Sequence, residues 1–265
     1  MKHRLIIVEG LPCSGKSTAA RFLAEQCGMT FVDEGTGAHP ADYENHAFLT
    51  KNEFLTLVDM IGEDDGVRLI SAESELTAGG IAVPLADWLE PEESDFLMKR
   101  KIYDALPWET EKPVMLQKWR DFAENTEVDY VFNCVLLQNP MCETMMRFNM
   151  TEAESAAYIG EIAEIIRPLD PFVVYLKTTQ AAENIRRTAP ERGGWLDAVI
   201  AYHCGGGYGR ANGLSGFEGY IAALEERQRR ELAILETLGL PHLVLTDIQR
   251  DYDAAYAQMH QAVCK

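Results

Sequence analysis

The chain has 265 residues, 47% hydrophobic and 25% charged, an ordinary globular balance that excludes a disordered chain. Asp and Glu outnumber Lys and Arg by 42 to 24, for a formal charge of -18. That excludes a protein built to meet nucleic acid or an anionic membrane over a broad face, because displacing counterions takes a basic surface.

Leu5-Ile6-Ile7-Val8 is wholly apolar and predicts a buried parallel strand. It breaks at Glu9-Gly10, too short for a signal peptide, and no later run reaches the length of a membrane span. The six cysteines include no C-x-x-C pair, so reduced, buried thiols are expected rather than a zinc or redox motif. Together these features point to a cytoplasmic protein.

Residues 8–18 read VEGLPCSGKST, in which Gly10, Gly15, Lys16 and Ser17 fit G-x-x-x-x-G-K-[ST]. The glycines let the backbone fold around a polyphosphate and aim amides at it. Lys16 supplies charge to the β- and γ-phosphates, and Ser17 a hydroxyl for Mg²⁺. Ala19, Ala20, Phe22, Leu23 and Cys27 then recur at helical spacing until Gly28, so a helix over about 17–27 points its positive end at the anion. Gly10, Pro12, Cys13, Ser14, Gly15, Lys16, Ser17 and Thr18 are therefore the expected nucleotide contacts, with ATP and Mg²⁺ as cofactors. The run resembles the Walker A motif of P-loop NTPases across the first 40 residues. That resemblance implies an α/β fold, a three-layer αβα P-loop sandwich with a parallel sheet.

A second strand is expected at 30–34, ending in Asp33-Glu34, followed by a loop at 35–40. Residues 41–127 are helical in period and acid-rich, too long for a plain crossover. They read as an inserted, mostly helical substrate-binding region within one P-loop domain, with loops at 62–66 and 79–84. The run 129–137 predicts the third core strand, ended by Gln138-Asn139-Pro140. Helices are expected at 141–149 and 151–167, the second opened by a Thr151/Glu154 capping box. A strand at 171–176, an arginine-bearing segment, a glycine cluster at 205–219, a helix at 217–238, a strand at 242–246 and a helix at 251–263 complete the alternation of a parallel sheet.

No [NT]-K-x-D element supports a GTPase. Leu57–Gly62 mimics a strand followed by DxxG, but Phe54, Leu55, Val58 and Ile61 fit a helical face. The third strand ends in Gln-Asn rather than the acids of motor ATPases. The layout instead resembles small-molecule kinases, nearest the thymidylate and deoxynucleoside kinase branch. The resemblance implies an arginine-bearing lid after the fourth strand, here Arg186, Arg187 and Arg192. It also implies a carboxylate at the end of the second strand that orients or deprotonates the acceptor hydroxyl. Glu34 takes that place, with Asp33 turned to the opposite face. The chain departs from the family at Asn133-Cys134, where an acid is usual, so Glu34, Asp33 or Glu9 would have to supply the charge.

Gln138 and Asn139 lie at the ligand side of the sheet and are expected to read a polar acceptor. His39, Asp42 and Tyr43 are candidates to line its pocket, and Arg210 to reach in on a glycine-rich flap. Glu225–Arg230 reads as a salt-bridged, solvated helix face. The function expected is ATP- and Mg²⁺-dependent phosphorylation of a small molecule. A nucleoside or nucleotide acceptor leads, and an antibiotic phosphotransferase is the alternative. A nucleotide-binding switch with little turnover is the reading from another class. The partner is a small-molecule acceptor, with a homodimer left open.

Overall fold

The computed structural model describes residues 3–35, 39–77 and 79–264, apart from the side chains of 63 and 70–73. Part of the loop expected at 35–40 lies outside the described residues. In chain order the first elements are β1 (Leu5–Gly10), α1 (Lys16–Cys27), β2 (Thr30–Val32), β3 (His46–Leu49), α2 (Lys51–Ile61), α3 (Glu63–Glu73), β4 (Glu75–Thr77) and β5 (Gly80–Pro84). There follow α4 (Pro91–Met98), a distorted turn α5 (Ile102–Ala105), α6 (Trp108–Asn125), β6 (Tyr130–Asn133), α7 (Gln138–Met141), α8 (Glu152–Ile166) and β7 (Pro171–Lys177). The chain closes with α9 (Ala181–Thr188), α10 (Trp195–Gly205), α11 (Gly207–Ala211), α12 (Gly216–Thr237), β8 (His242–Thr246) and α13 (Tyr252–Val263). Among the described residues no helix is long and apolar enough to cross a membrane.

The chain divides into two compact units, one formed by residues up to Glu34 with those from Thr126 onward, the other by Gly35–Asn125. The first holds a five-stranded sheet in the order β2-β6-β1-β7-β8, parallel throughout. Alternation along β1 sorts its side chains between the two faces. Ile6 and Val8 join Ala19, Ala20 and Leu23 of α1 and Met259 of α13 in one buried cluster. Glu9 and Tyr175 answer to the other face, where Tyr175 meets Glu231 of α12. Helices cover both faces of a parallel sheet, which is the αβα sandwich the sequence predicts.

Several details differ from the sequence expectations. β6 keeps only four residues of the run 129–137. Cys134 turns into left-handed backbone at φ 54°, and the amides of 136–138 go to a side chain instead of a ladder. The helix expected at 141–149 is α7 followed by a wide π-helix, Cys142–Arg147, with Phe148 N–H on the Glu143 carbonyl at 2.9 Å. The glycine cluster falls in α10, α11 and the start of α12. A Cβ on Gly206 or Gly207 would stand 2.4 Å from the carbonyl oxygens of Met146 and Arg147, so these glycines pack α10 and α11 onto the π-helix. The capping box at Thr151 and Glu154 is present. The cysteines are not all reduced, since Cys27 and Cys264 form a disulfide with Cα atoms 5.6 Å apart, joining α1 to α13 beside the stacked Phe22 and Tyr256 rings.

The second unit contains a sheet that the sequence reading missed, antiparallel in the order β3-β5-β4. The loop expected at 79–84 is in fact β5. Gly80 opens it, where a Cβ would lie 2.4 Å from the Leu49 carbonyl and 2.6 Å from the Phe48 ring. Ala47, Leu49, Phe54, Leu57, Leu69, Val83 and Leu97 form its core. The stretch that mimics DxxG is the helix α2, opened by a Thr50/Glu53 capping box.

Candidate active site

β1 is buried from end to end and delivers its loop to the carboxyl edge of the sheet. Gly10 sits at φ +141°, where a Cβ would meet the Leu176 carbonyl at 2.5 Å, and Gly15 caps α1 at φ 98°. Cys13 between them is also left-handed, at φ 61°. Lys16 is buried, and its Nζ donates to the Leu11 carbonyl at 3.0 Å, a bond that an incoming phosphate oxygen can replace. The first turn of α1 carries no acid, so the helix's positive end faces the loop unopposed. Ser14 Oγ is buried without a partner. Pro12 is half-buried, and Ser17 and Thr18 are exposed.

Beyond the loop, two acids meet two carboxamides. Asn133, the last residue of β6, donates from Nδ2 to Asp33 Oδ1 at 2.7 Å and to Ser17 Oγ at 3.1 Å. Gln138, the first residue of α7, donates from Nε2 to Glu34 Oε1 at 2.9 Å. The Cys134 thiol also donates to Glu34 and is held protonated by burial and by the Glu34 charge. Both acids lie just beyond β2, and each is engaged by its own carboxamide. Both carboxamides leave a buried oxygen, Asn133 Oδ1 and Gln138 Oε1, with no hydrogen-bond partner.

Asp33, Ser17 and Asn133 suit Mg²⁺ chemically. A carboxylate, a hydroxyl and an amide oxygen are the hard oxygen donors this cation prefers, and it keeps waters of its own. One such water would supply the donor that Asn133 Oδ1 lacks. Among the described residues no three His, Cys, Asp or Glu gather into a metal-holding group, so a site here would lean on few protein ligands, as Mg²⁺ sites do.

Glu9 is not available to the metal. Its carboxylate accepts from the amides of Leu136, Leu137 and Gln138 at 2.7, 2.8 and 3.1 Å. Burial, reinforced by the Glu231 charge, raises its pKa to about 7. Behind it lies a group that sequence reading placed in solvent. Arg227 of α12 is 1% exposed. Its Nε lies 3.0 Å from Glu231 Oε1, close enough for an ion pair though not aligned as a hydrogen bond. Its Nη1 donates to Cys142 Sγ at 3.3 Å, and Tyr175 Oη donates to Glu231 at 2.6 Å. Its neighbours Glu226, Arg229 and Arg230 do form the surface ion pairs expected. Helical spacing held the signal, because Tyr220, Leu224, Arg227 and Glu231 share one face of α12.

The lid arginines all face protein partners. Arg186 donates to Glu218 at 2.8 Å and lies over Phe217. Arg187 donates to Asn184 at 3.0 Å and to Gln249. Gln249 in turn holds the Cys13 carbonyl at 2.5 Å, a chain of contacts from α9 to the phosphate loop. Arg192 stands over the Trp195 ring. Arg210 bonds the Gly205 carbonyl within its own turn. Asn139 donates its amide to the Cys134 carbonyl at 3.3 Å.

The remaining acceptor candidates belong to the second unit and are engaged within it. Asp42 accepts from Tyr103 Oη at 2.7 Å. Tyr43 Oη donates to Glu75 at 2.5 Å, and Lys118 Nζ reaches the other Glu75 oxygen at 2.5 Å. His39 Nδ1 accepts the Ala41 amide at 3.1 Å. Burial and the Lys118 charge hold its pKa down at about 3.

The loop, the helix it opens and the sheet order define a three-layer αβα P-loop fold. No protein-family model matches the chain, and no curated protein matches it. Among solved structures it is similar to deoxyadenosine kinase from M. mycoides with bound dCTP, at 11% identity over 97% of this chain and 99% of that one, TM-score 0.45. It is also similar to the Bacillus subtilis YorR protein in complex with phosphorylated GDP, at 11% identity over 96% and 92%, TM-score 0.44. A third is shikimate kinase from Acinetobacter baumannii in complex with shikimate, at 14% identity over 97% and 90%, TM-score 0.41.

Proposed function

We propose that the chain is an ATP- and Mg²⁺-dependent phosphotransferase acting on a small molecule. A nucleoside or nucleotide is the leading acceptor class and a hydroxyl-rich antibiotic the second. One observation carries the reading: Ser17 of the phosphate loop reaches Asp33 through Asn133, while the next residue, Glu34, is held by Gln138. Phosphoryl transfer is mostly positioning and charge neutralisation, and this unit provides both.

Lys16 and the loop amides hold the phosphates. Bound Mg²⁺ would neutralise charge on the β- and γ-phosphates, and Ser17, Asn133 and Asp33 are the residues that would hold it. Glu34 is exposed and accepts the hydroxyl proton as the acceptor oxygen attacks. Arg186, Arg187 or Arg192 would have to leave its present partner to reach the transferred group. We place the protein in the cytoplasm, where ATP is supplied.

The test is ADP release from Mg·ATP across nucleosides, nucleoside monophosphates and hydroxyl-rich antibiotics, with Lys16→Ala as control. A Lys16-dependent rise with one acceptor is expected, and Glu34→Gln should cut turnover by about 10²–10⁴ while leaving ATP affinity unchanged. Tight ATP binding with no acceptor-dependent ADP would overturn the reading in favour of a nucleotide-binding switch.

A further inference from the structure

The two carboxamides are not equivalent in what they leave open. Asn133 stands beside Ser17, where a metal-bound water can satisfy its oxygen. Gln138 stands on the Glu34 side, and nothing in the metal and phosphate machinery accounts for its oxygen. Its side chain is 6% exposed, its Nε2 is spent on Glu34, and its Oε1 is buried with no partner. The orientation is fixed by chemistry, because only the NH₂ end can donate to a carboxylate. An orphaned buried acceptor costs free energy. That cost is recovered when a ligand brings a donor.

The placement of Gln138 is itself held rigidly. Its own amide and the two before it are clamped by Glu9, and the turn continues into the π-helix behind it. The Glu34 carboxylate that Gln138 Nε2 holds also accepts a hydrogen bond from the protonated Cys134 thiol. The Gln138 carboxamide therefore joins two acceptors, the Glu34 carboxylate held by its Nε2 and its own unpaired Oε1.

We infer that Gln138 determines acceptor specificity, and that the acceptor is a vicinal diol or vicinal amino alcohol. This rests on the phosphotransferase reading. The hydroxyl that is phosphorylated donates to Glu34, and the hydroxyl or amine on the neighbouring carbon donates to Gln138 Oε1. In the transfer, the acceptor oxygen forms the new bond to the γ-phosphorus and its proton passes to Glu34. The bond from the γ-phosphorus to the β–γ bridging oxygen breaks, and ADP leaves with the electron pair. An isolated primary hydroxyl, such as the 5′-hydroxyl of a nucleoside, satisfies Glu34 and leaves Gln138 Oε1 unpaired. A site built to pair a substrate donor discriminates strongly against the analogue that lacks it.

The experiment measures transfer from γ-labelled ATP to matched pairs of acceptors, one member of each lacking one of two neighbouring donors. The pairs are adenosine with 3′-deoxyadenosine, uridine with 2′-deoxyuridine, trans-2-aminocyclohexanol with cyclohexanol, and glycerol with propane-1,3-diol. The product position is read by ³¹P NMR, and Lys16→Ala is the control. In at least one pair the vicinal member should react faster by about tenfold or more, at one of its two neighbouring groups. Gln138→Leu should bring that ratio to near unity, with Gln138→Met as a second variant if the first fails to fold. Equal rates within the reactive pair, transfer to a nucleoside 5′-hydroxyl, or a ratio that survives both variants would overturn the specificity assignment while the phosphotransferase reading stands. Silence from every compound, with ATP still bound, would overturn both.

Discussion

Asn133 Nδ2 lies 2.7 Å from Asp33 Oδ1, so the strand that lacks an acid is joined to the one that has it. The carboxamide carries no charge, but it fixes a carboxylate at the loop's Ser17. Asp33→Asn should therefore weaken the Mg²⁺-dependent part of ADP binding by about 10–100-fold, while affinity without metal stays the same. Calorimetric titration of ADP with and without Mg²⁺, or Mn²⁺ by electron paramagnetic resonance, reads this directly. Equal losses with and without metal would mean that Asp33 serves the fold, not the cation.

Glu9 gives the protein a stability that depends on pH in an unusual direction for a carboxylate. Its folded pKa is raised from 4.5 to about 7 by burial, so the folded state holds the proton more tightly than the unfolded chain. The associated stability is present in full below 4.5 and is lost as pH rises through 7. Glu9→Gln should flatten the urea midpoint between pH 5 and 8. The wild-type difference over that range should reach up to about 3 kcal/mol. A wild type that gains stability across this window faster than the variant would contradict the assignment.

Gly10 tolerates no side chain. Gly10→Ala adds a Cβ 2.5 Å from the Leu176 carbonyl at φ +141°, a clash with backbone in a conformation L-residues avoid. It should cost at least about 2 kcal/mol and weaken nucleotide binding. Gly28→Ala has open space around it and carries only the penalty of its left-handed φ. A denaturation series on the two variants separates clash from conformation.

The buried pair in α12 should fail asymmetrically. Arg227→Ala leaves the fully buried Glu231 without its counter-ion, a loss of about 3–5 kcal/mol. Arg227→Met with Glu231→Leu removes both charges and should recover most of that. Because Glu231 helps raise the Glu9 pKa, the double variant should also shift the pH dependence of stability to lower pH. Unchanged pH dependence would show that burial alone sets Glu9.

Much of the first unit was legible because local rules and tertiary structure agree there. The apolar Leu5–Val8, the glycines at 10 and 15 and the stop at Gly28 all point to one strand, loop and helix. Asp33 and Glu34 stand out in the sequence as two acids directly after the second strand. Their carboxamide partners were named one by one, but the pairing was not, since Asn133 is 100 residues from Asp33 in sequence. β6 was overread because Cys134 and Val135 look like strand, and only the side chain of Glu9 explains why their neighbours leave the ladder. The antiparallel sheet in the second unit was missed because its strands are three to five residues long and lie between helices. Arg227 reads as a surface residue in sequence because its charge outweighs the helical period, yet it is buried.

The Cys27–Cys264 bond, between cysteines 237 positions apart in sequence, closes the polypeptide between them into a covalent ring. The whole of Gly35–Asn125 then lies inside the ring as an excursion that leaves and returns. A single protease nick there would yield no separable fragments until a reductant is added. The two pieces of the five-stranded unit, one ending at Glu34 and one starting at Thr126, would stay one molecule by mass even when cut apart in sequence.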